Sequence, residues 1–330
     1  MSLWELMSMG FMQRALIAAL VGGLLCPAVG TYVVQRRLSL LGDGLGHVAI
    51  AGIGLALLTG TAPLPMAIAI CLIGAVGIEL LRQTGRATAD VGLAILFYGG
   101  LSVGLLLASL AGQGSDTLSQ YLFGSLITVT RGDLWLIGAL AVVVLVLSLG
   151  LAPQLFSVCV DEDFARTQGL PVRALNVLVV AMAALTVTLS MRTVGLLLVS
   201  ALMVVPVAAA QNLASSFRGT LTIAMGIGVV VSAAGVFISA GADTASGPTI
   251  VVAAIVVFIV AAAASALRNR FGARRAEAAD AGLPAAAPHR IAETGLGALA
   301  SDIAVLHGDH VDYVHGTHRH APHGDHVDEH

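Results

Sequence analysis

Five stretches of this chain, residues 15–34, 91–112, 134–158, 193–217 and 219–242, each run for at least twenty residues without one charged side chain. A helix rises about 1.5 Å per residue, so about 20 residues cross a hydrocarbon layer roughly 30 Å thick. Lipid offers the backbone no hydrogen-bond partners, which leaves only helices and closed barrels as spanning structures. Barrel strands alternate apolar with polar residues, whereas IGALAVVVLVLSLGLA (137–152) is apolar throughout. Helices are therefore expected. With 57% apolar and 11% charged residues, the chain exceeds what a soluble core needs. The first apolar run lacks a basic leader and is too long for a signal sequence, so it is expected to stay as a span.

The reading is an all-α, polytopic helical membrane protein with about nine spans: 13–35, 42–60, 63–82, 90–112, 134–157, 173–191, 194–213, 220–241 and 247–267. The segment TLSQYLFGSLITVT (117–130) is too short to span and reads as re-entrant, and an eight-span arrangement is the alternative. All sixteen basic residues are arginine, and they gather between the apolar segments. With the N-terminus outside, Arg36, Arg37, Arg82 and Arg86 and the arginines of 166–173, 218 and 268–275 face the cytoplasm, leaving Arg14, Arg131 and Arg192 outside. The positive-inside rule favours that orientation. Cys26, Cys71 and Cys159 are isolated from one another and read as small apolar packing residues.

Residues 1–270 are thus expected to form a membrane domain, and 271–330 a cytoplasmic, histidine-rich tail without stable structure. The tail repeats HGDHVD at 307–312 and 323–328. Its imidazoles, His307, His310, His315, His318, His320, His323, His326 and His330, are interleaved with aspartates. Neutral imidazoles bind zinc, copper and nickel, so a loose metal buffer is the natural reading; a merely solubilising tail is the bland one.

Within the membrane domain the most telling pair is Asp43 and His47, in RRLSLLGDGLGHVAIAGIGLAL (36–57). His47 is the only histidine before residue 289. Residues four apart share a helical face, so a carboxylate oxygen and an imidazole nitrogen can touch one divalent ion. Ionisable groups inside a membrane are expensive and mark pathways or partners. The glycines at 42, 44, 46, 52 and 54 strip the helix of bulk and invite another backbone close. Two ligands fall short of a tight site, and a twofold pairing of second helices from two copies would supply four. The plainer alternative has Asp43 capping the helix and His47 simply hydrogen-bonded. Glu79 with Arg82 reads as a helix anchor and Asp90 as the cap of the fourth span.

The chain has no lysine, which rules out a G-x-x-x-x-G-K-[ST] phosphate loop, and it has neither G-x-S-x-G nor H-E-x-x-H. Energy for any transport must come from elsewhere. The loop DEDFARTQGLPVRAL (161–175) is short, charged and broken by glycine and proline, like a docking element.

Taken with the arginine pair through GDxxxH and with TVGLLLVSALMVVPVAAAQ (193–211), that loop makes residues 10–268 resemble the ZnuB-like membrane permeases of zinc and manganese ABC importers. The resemblance implies a type II ABC importer permease fold and a homodimer without an ATPase site of its own. It implies two kinds of partner: a separate cytoplasmic ABC ATPase and an extracytoplasmic metal-binding protein. It places a coupling helix at Asp161, Glu162, Asp163, Phe164, Ala165 and Gly169. No cofactor is expected to be held permanently; Zn2+ is the expected cargo, with Mn2+ or Fe2+ as alternatives. Membrane lipid surrounds such a protein, and no nucleic acid is expected. A siderophore or cobalamin permease would share the architecture but needs no metal-chelating tail. A proton-coupled metal carrier would place more carboxylates and histidines across several spans.

Overall fold

The structure, a computed structural model, describes residues 9–85, 88–112, 121–122, 130–191, 195–242, 244–281, 303–307, 310–315, 318–323 and 326–329. Two compact units divide the chain, Met1–Leu267 and Arg268–His330.

The described helices are α1 (Gly10–Gln35), α2 (Leu41–Thr59), α3 (Pro63–Gln83), α4 (Ala89–Ala94), a π-helical turn (Ile95–Gly99), α5 (Gly100–Leu110), α6 (Arg131–Gly150), α7 (Ala152–Val160), α8 (Glu162–Thr167), α9 (Val172–Ser190), α10 (Leu196–Leu213), α11 (Phe217–Ala242) and α12 (Ser246–Ala281), the last beginning in the first unit and ending in the second. Among the described residues, eight stretches are long and apolar enough to cross a membrane: Met12–Gln35, Leu41–Thr59, Pro63–Gln83, Asp90–Leu110, Gly132–Gly150, Val172–Ser190, Phe217–Ala242 and Ser246–Arg268. The expected ninth span, 194–213, is the helix α10, whose apolar part, Leu198–Leu213, is shorter. Gly195, at φ +89°, precedes α10 and the extended Ala214 follows it; its 18 residues reach about 27 Å, one residue short of α2. The expected re-entrant segment 117–130 lies almost wholly outside the described residues.

The helices differ sharply in enclosure. In α2, 78% of the spanning window is buried, against 22% in α6 and in α12. The outer helices turn Ile73, Val142, Val146, Ile259 and Val260 outward, as lipid contact requires. Lipid chains are as apolar as leucine, so helices must associate through close fit and hydrogen bonds instead. Small residues provide that fit. A Cβ at Gly52 of α2 would sit 2.6 Å from the Ala67 Cα of α3, and one at Gly54 would sit 2.6 Å from the Gly104 carbonyl of α5. Tyr32 of α1 donates its hydroxyl to the Ser148 carbonyl of α6 at 2.6 Å. The three cysteines are free and buried, consistent with packing roles.

Local signals set the helix ends. Gly60, left-handed at φ +67°, closes α2, and Pro63 opens α3. Thr88, not Asp90, caps α4: its side chain accepts from the Val91 N–H, and Asp90 sits in the first turn.

In the second unit, the tail expected to lack structure instead carries a four-stranded antiparallel meander in the order β1 (Ile303–His307), β2 (His310–His315), β3 (His318–His323) and β4 (His326–Glu329). Two residues separate successive strands, which is the favoured hairpin spacing. His330 lies outside the described residues.

Candidate functional site

Asp43 and His47 lie in the first turns of α2, the most enclosed of the spanning helices. The N-cap is Leu40, with no side-chain capping bond, so Asp43 is not the cap; it stands within the first turn, where a negative charge suits the helix dipole. Every residue from Leu41 to Gly54 is buried except Asp43, which is half-buried. Two copies of α2 therefore cannot lie against each other along their length. A second copy can approach this pair only past Asp43.

The two side chains do not bond to each other. His47 Nδ1 lies 2.7 Å from the backbone carbonyl of Asp43. A carbonyl only accepts, so Nδ1 is the donor in this contact, and in a neutral imidazole that leaves the lone pair on Nε2. Metal-ligating histidines are commonly oriented in this way by their second nitrogen. One ring face is covered by Phe97, with centroids 4.1 Å apart. Phe97 belongs to the π-helical turn, a local widening that recurs at functional sites. Behind the histidine, a Cβ at Gly100 would fall 2.6 Å from the Val48 nitrogen and 2.7 Å from the His47 carbonyl carbon, so only glycine lets α5 press on this turn.

Asp43 is oriented from elsewhere in the chain: Ser200 Oγ of α10 donates to its Oδ1 at 2.6 Å. The sequence reading missed Ser200. The only signal was a hydroxyl within the apolar run LLLVSALMVV (196–205). Among the described residues, no group of three or more His, Cys, Asp or Glu converges as a complete metal site.

The charged loop forms α8, a helix of six residues. Asp161 caps it, its carboxylate accepting from the N–H groups of Asp163 at 3.0 Å and Phe164 at 2.9 Å. Gly169, at φ +77°, ends the turn in a conformation other residues resist. The named residues divide by direction. Phe164 is 57% exposed and Asp163 is exposed, whereas Ala165 is fully buried.

Glu162 turns inward and ties the helix to three others. Its Oε1 lies 3.0 Å from Arg36 at the end of α1, 3.6 Å from Arg82 of α3 and 3.0 Å from Asn176 of α9. Arg82 also grips Glu79 with two bonds of 2.8 Å, so the expected anchor is present and extends into this network. Arg36 keeps an unpartnered buried nitrogen, Nη1, beside a cavity of about 190 Å³ lined by Arg36, Arg82, Cys159 and Glu162. Burial pushes the Cys159 thiol up to about 11, so it stays neutral there. A larger cavity, about 500 Å³, lies between α1 and α6 around Trp135, and neither Asp43 nor His47 lines it.

A bundle of spanning helices, a carboxylate and an imidazole one turn apart on the innermost one, and a short charged helix tethered to three others together describe a membrane transport protein. The sequence model of the ABC 3 transport family matches residues 8–265, and the chain belongs to that family. It is 32% identical over 250 residues to the manganese transport system membrane protein MntC of Halalkalibacterium halodurans, covering 75% of this chain and 85% of the relative. It is 28% identical over 238 residues to the high-affinity zinc uptake system membrane protein ZnuB of Haemophilus influenzae, covering 72% and 91%. Among solved structures, PsaBC from Streptococcus pneumoniae in complex with Fab superposes with a TM-score of 0.70 at 28% identity, covering 78% of this chain and 92% of that one. The chain is an ABC-type metal-transport permease and a multi-pass protein of the bacterial inner membrane.

Proposed function

We propose that this permease imports a divalent metal ion, zinc foremost, as one half of a homodimer served by a cytoplasmic ABC ATPase and an extracytoplasmic metal-binding protein. The observation that carries the reading is the bond from His47 Nδ1 to the Asp43 carbonyl, which frees Nε2 for an ion one helical turn from a carboxylate already held by Ser200. A nitrogen donor beside an oxygen donor suits zinc and tolerates manganese. Two donors per protomer give a site that an ion passes through, since a complete cage would hold too tightly to release. Relatives named for manganese and for zinc support a divalent cargo without choosing between them.

The ATPase docks on α8 through Phe164 and Asp163, while Glu162 carries the motion inward. Arg36 closes α1 immediately before α2 begins, so a displacement of α8 reaches the turn that leads to Asp43. ATP binding draws the two coupling helices together and opens the pair toward the binding protein; hydrolysis resets it inward.

The test is zinc uptake into proteoliposomes carrying the permease with its ATPase and binding protein. Uptake that requires ATP and the binding protein is expected. Uptake driven by a proton gradient with no need of ATP would replace the importer by a secondary carrier.

A further inference from the structure

The register of the tail sheet sorts its histidines in a way composition does not. His307 pairs with His310 across β1 and β2, and His323 pairs with His326 across β3 and β4. Strands β2 and β3 pair through Tyr313 with His320, Val314 with Arg319 and His315 with His318. Carried back along both strands, that register sets His310 opposite His323. His307, His310, His323 and His326 then form one rung across all four strands, on one face and at one end of the sheet.

Facing residues alternate along a strand, so the next rung on the same face holds Val305, Asp312, Ala321 and Asp328. The rung between them, on the other face, is Leu306, Val311, Pro322 and Val327, and it is apolar throughout. His315 and His318 fall on that second face and at the far end. Each copy of HGDHVD thus supplies two cross-strand histidines and an aspartate two residues along, all on one face. Directly opposed positions in an antiparallel pair have Cβ atoms about 5 Å apart, within reach of one ion bound at about 2 Å from each nitrogen.

We propose that the meander is a metal-binding platform for two divalent transition-metal ions side by side, one on His307, His310 and Asp312 and the other on His323, His326 and Asp328. The set of two imidazoles and one carboxylate suits zinc, cobalt and nickel. The ions rest on the hairpin ends, so the number bound follows register and not the count of imidazoles. This goes beyond the transport reading and does not depend on Asp43 or His47.

Cobalt(II) titration of the purified full chain, read by its visible absorption and by metal analysis, tests it. Two tail-bound equivalents are expected, retained in His47→Ala. The double variant H307A/H310A should lose one, H323A/H326A the other, and the combination both. The double variant H315A/H318A removes as many imidazoles from the opposite face and should keep both ions. Equal loss from all three double variants, or no cobalt bound by the wild-type tail, would overturn the proposal.

Discussion

Helix α2 and helix α8 carry the two halves of the proposed mechanism under opposite physical conditions. The first is walled in by its own chain and so tightly packed that glycines are required where α3 and α5 touch it. The second is six residues long, capped by one aspartate, held by one inward glutamate and open to solvent over Phe164. Ligand precision comes from enclosure, since donors fixed by packing and by Ser200 need no rearrangement before meeting an ion. Docking needs the reverse: an exposed aromatic on a rigid tether, which a partner groove can bury as its main source of affinity.

Gly100→Leu should break the enclosed half most severely. Its side chain would drive into the backbone of His47 and Val48, costing about 3 kcal/mol or more, and both thermal stability in detergent and uptake should collapse. Phe164→Ala should spare stability and instead weaken retention of the ATPase by about 30-fold, corresponding to roughly 2 kcal/mol for a buried aromatic anchor, measured by co-purification or surface binding. Unchanged retention would remove α8 as the docking element. Ser200→Ala should leave folding intact and weaken apparent metal affinity in uptake by about tenfold, the usual loss when a residue orienting a ligand is removed. Arg166→Ala deletes only the exposed pair with Asp163, and a shift below about 0.5 kcal/mol in stability is expected.

Much of the membrane unit was legible because lipid imposes a length rule that apolar runs obey: all but one of the expected spans matched a spanning helix. The exception, α10, shows the limit. Its 18 residues fall one short of α2, so length alone does not separate it from the spanning helices. The i, i+4 placement of Asp43 and His47 could be read directly. Their separate hydrogen bonds could not, because Ser200 is 157 residues from Asp43 and Phe97 arrives through a π-helical turn that no periodicity signals. The split of α8 into an inward Glu162 and an outward Phe164 likewise depends on where Arg36, Arg82 and Asn176 come together. In the tail, bias toward histidine suggested no core, and the two-residue spacers between strands were the overlooked sign of hairpins.

Whether α2 carries the ion can be settled by radioactive zinc uptake in proteoliposomes reconstituted with the ATPase and the binding protein, comparing the wild-type permease with His47→Ala. The account predicts that the variant assembles, keeps its ATPase and transports no zinc above background. Zinc uptake at the wild-type rate by a fully assembled His47→Ala complex would contradict it.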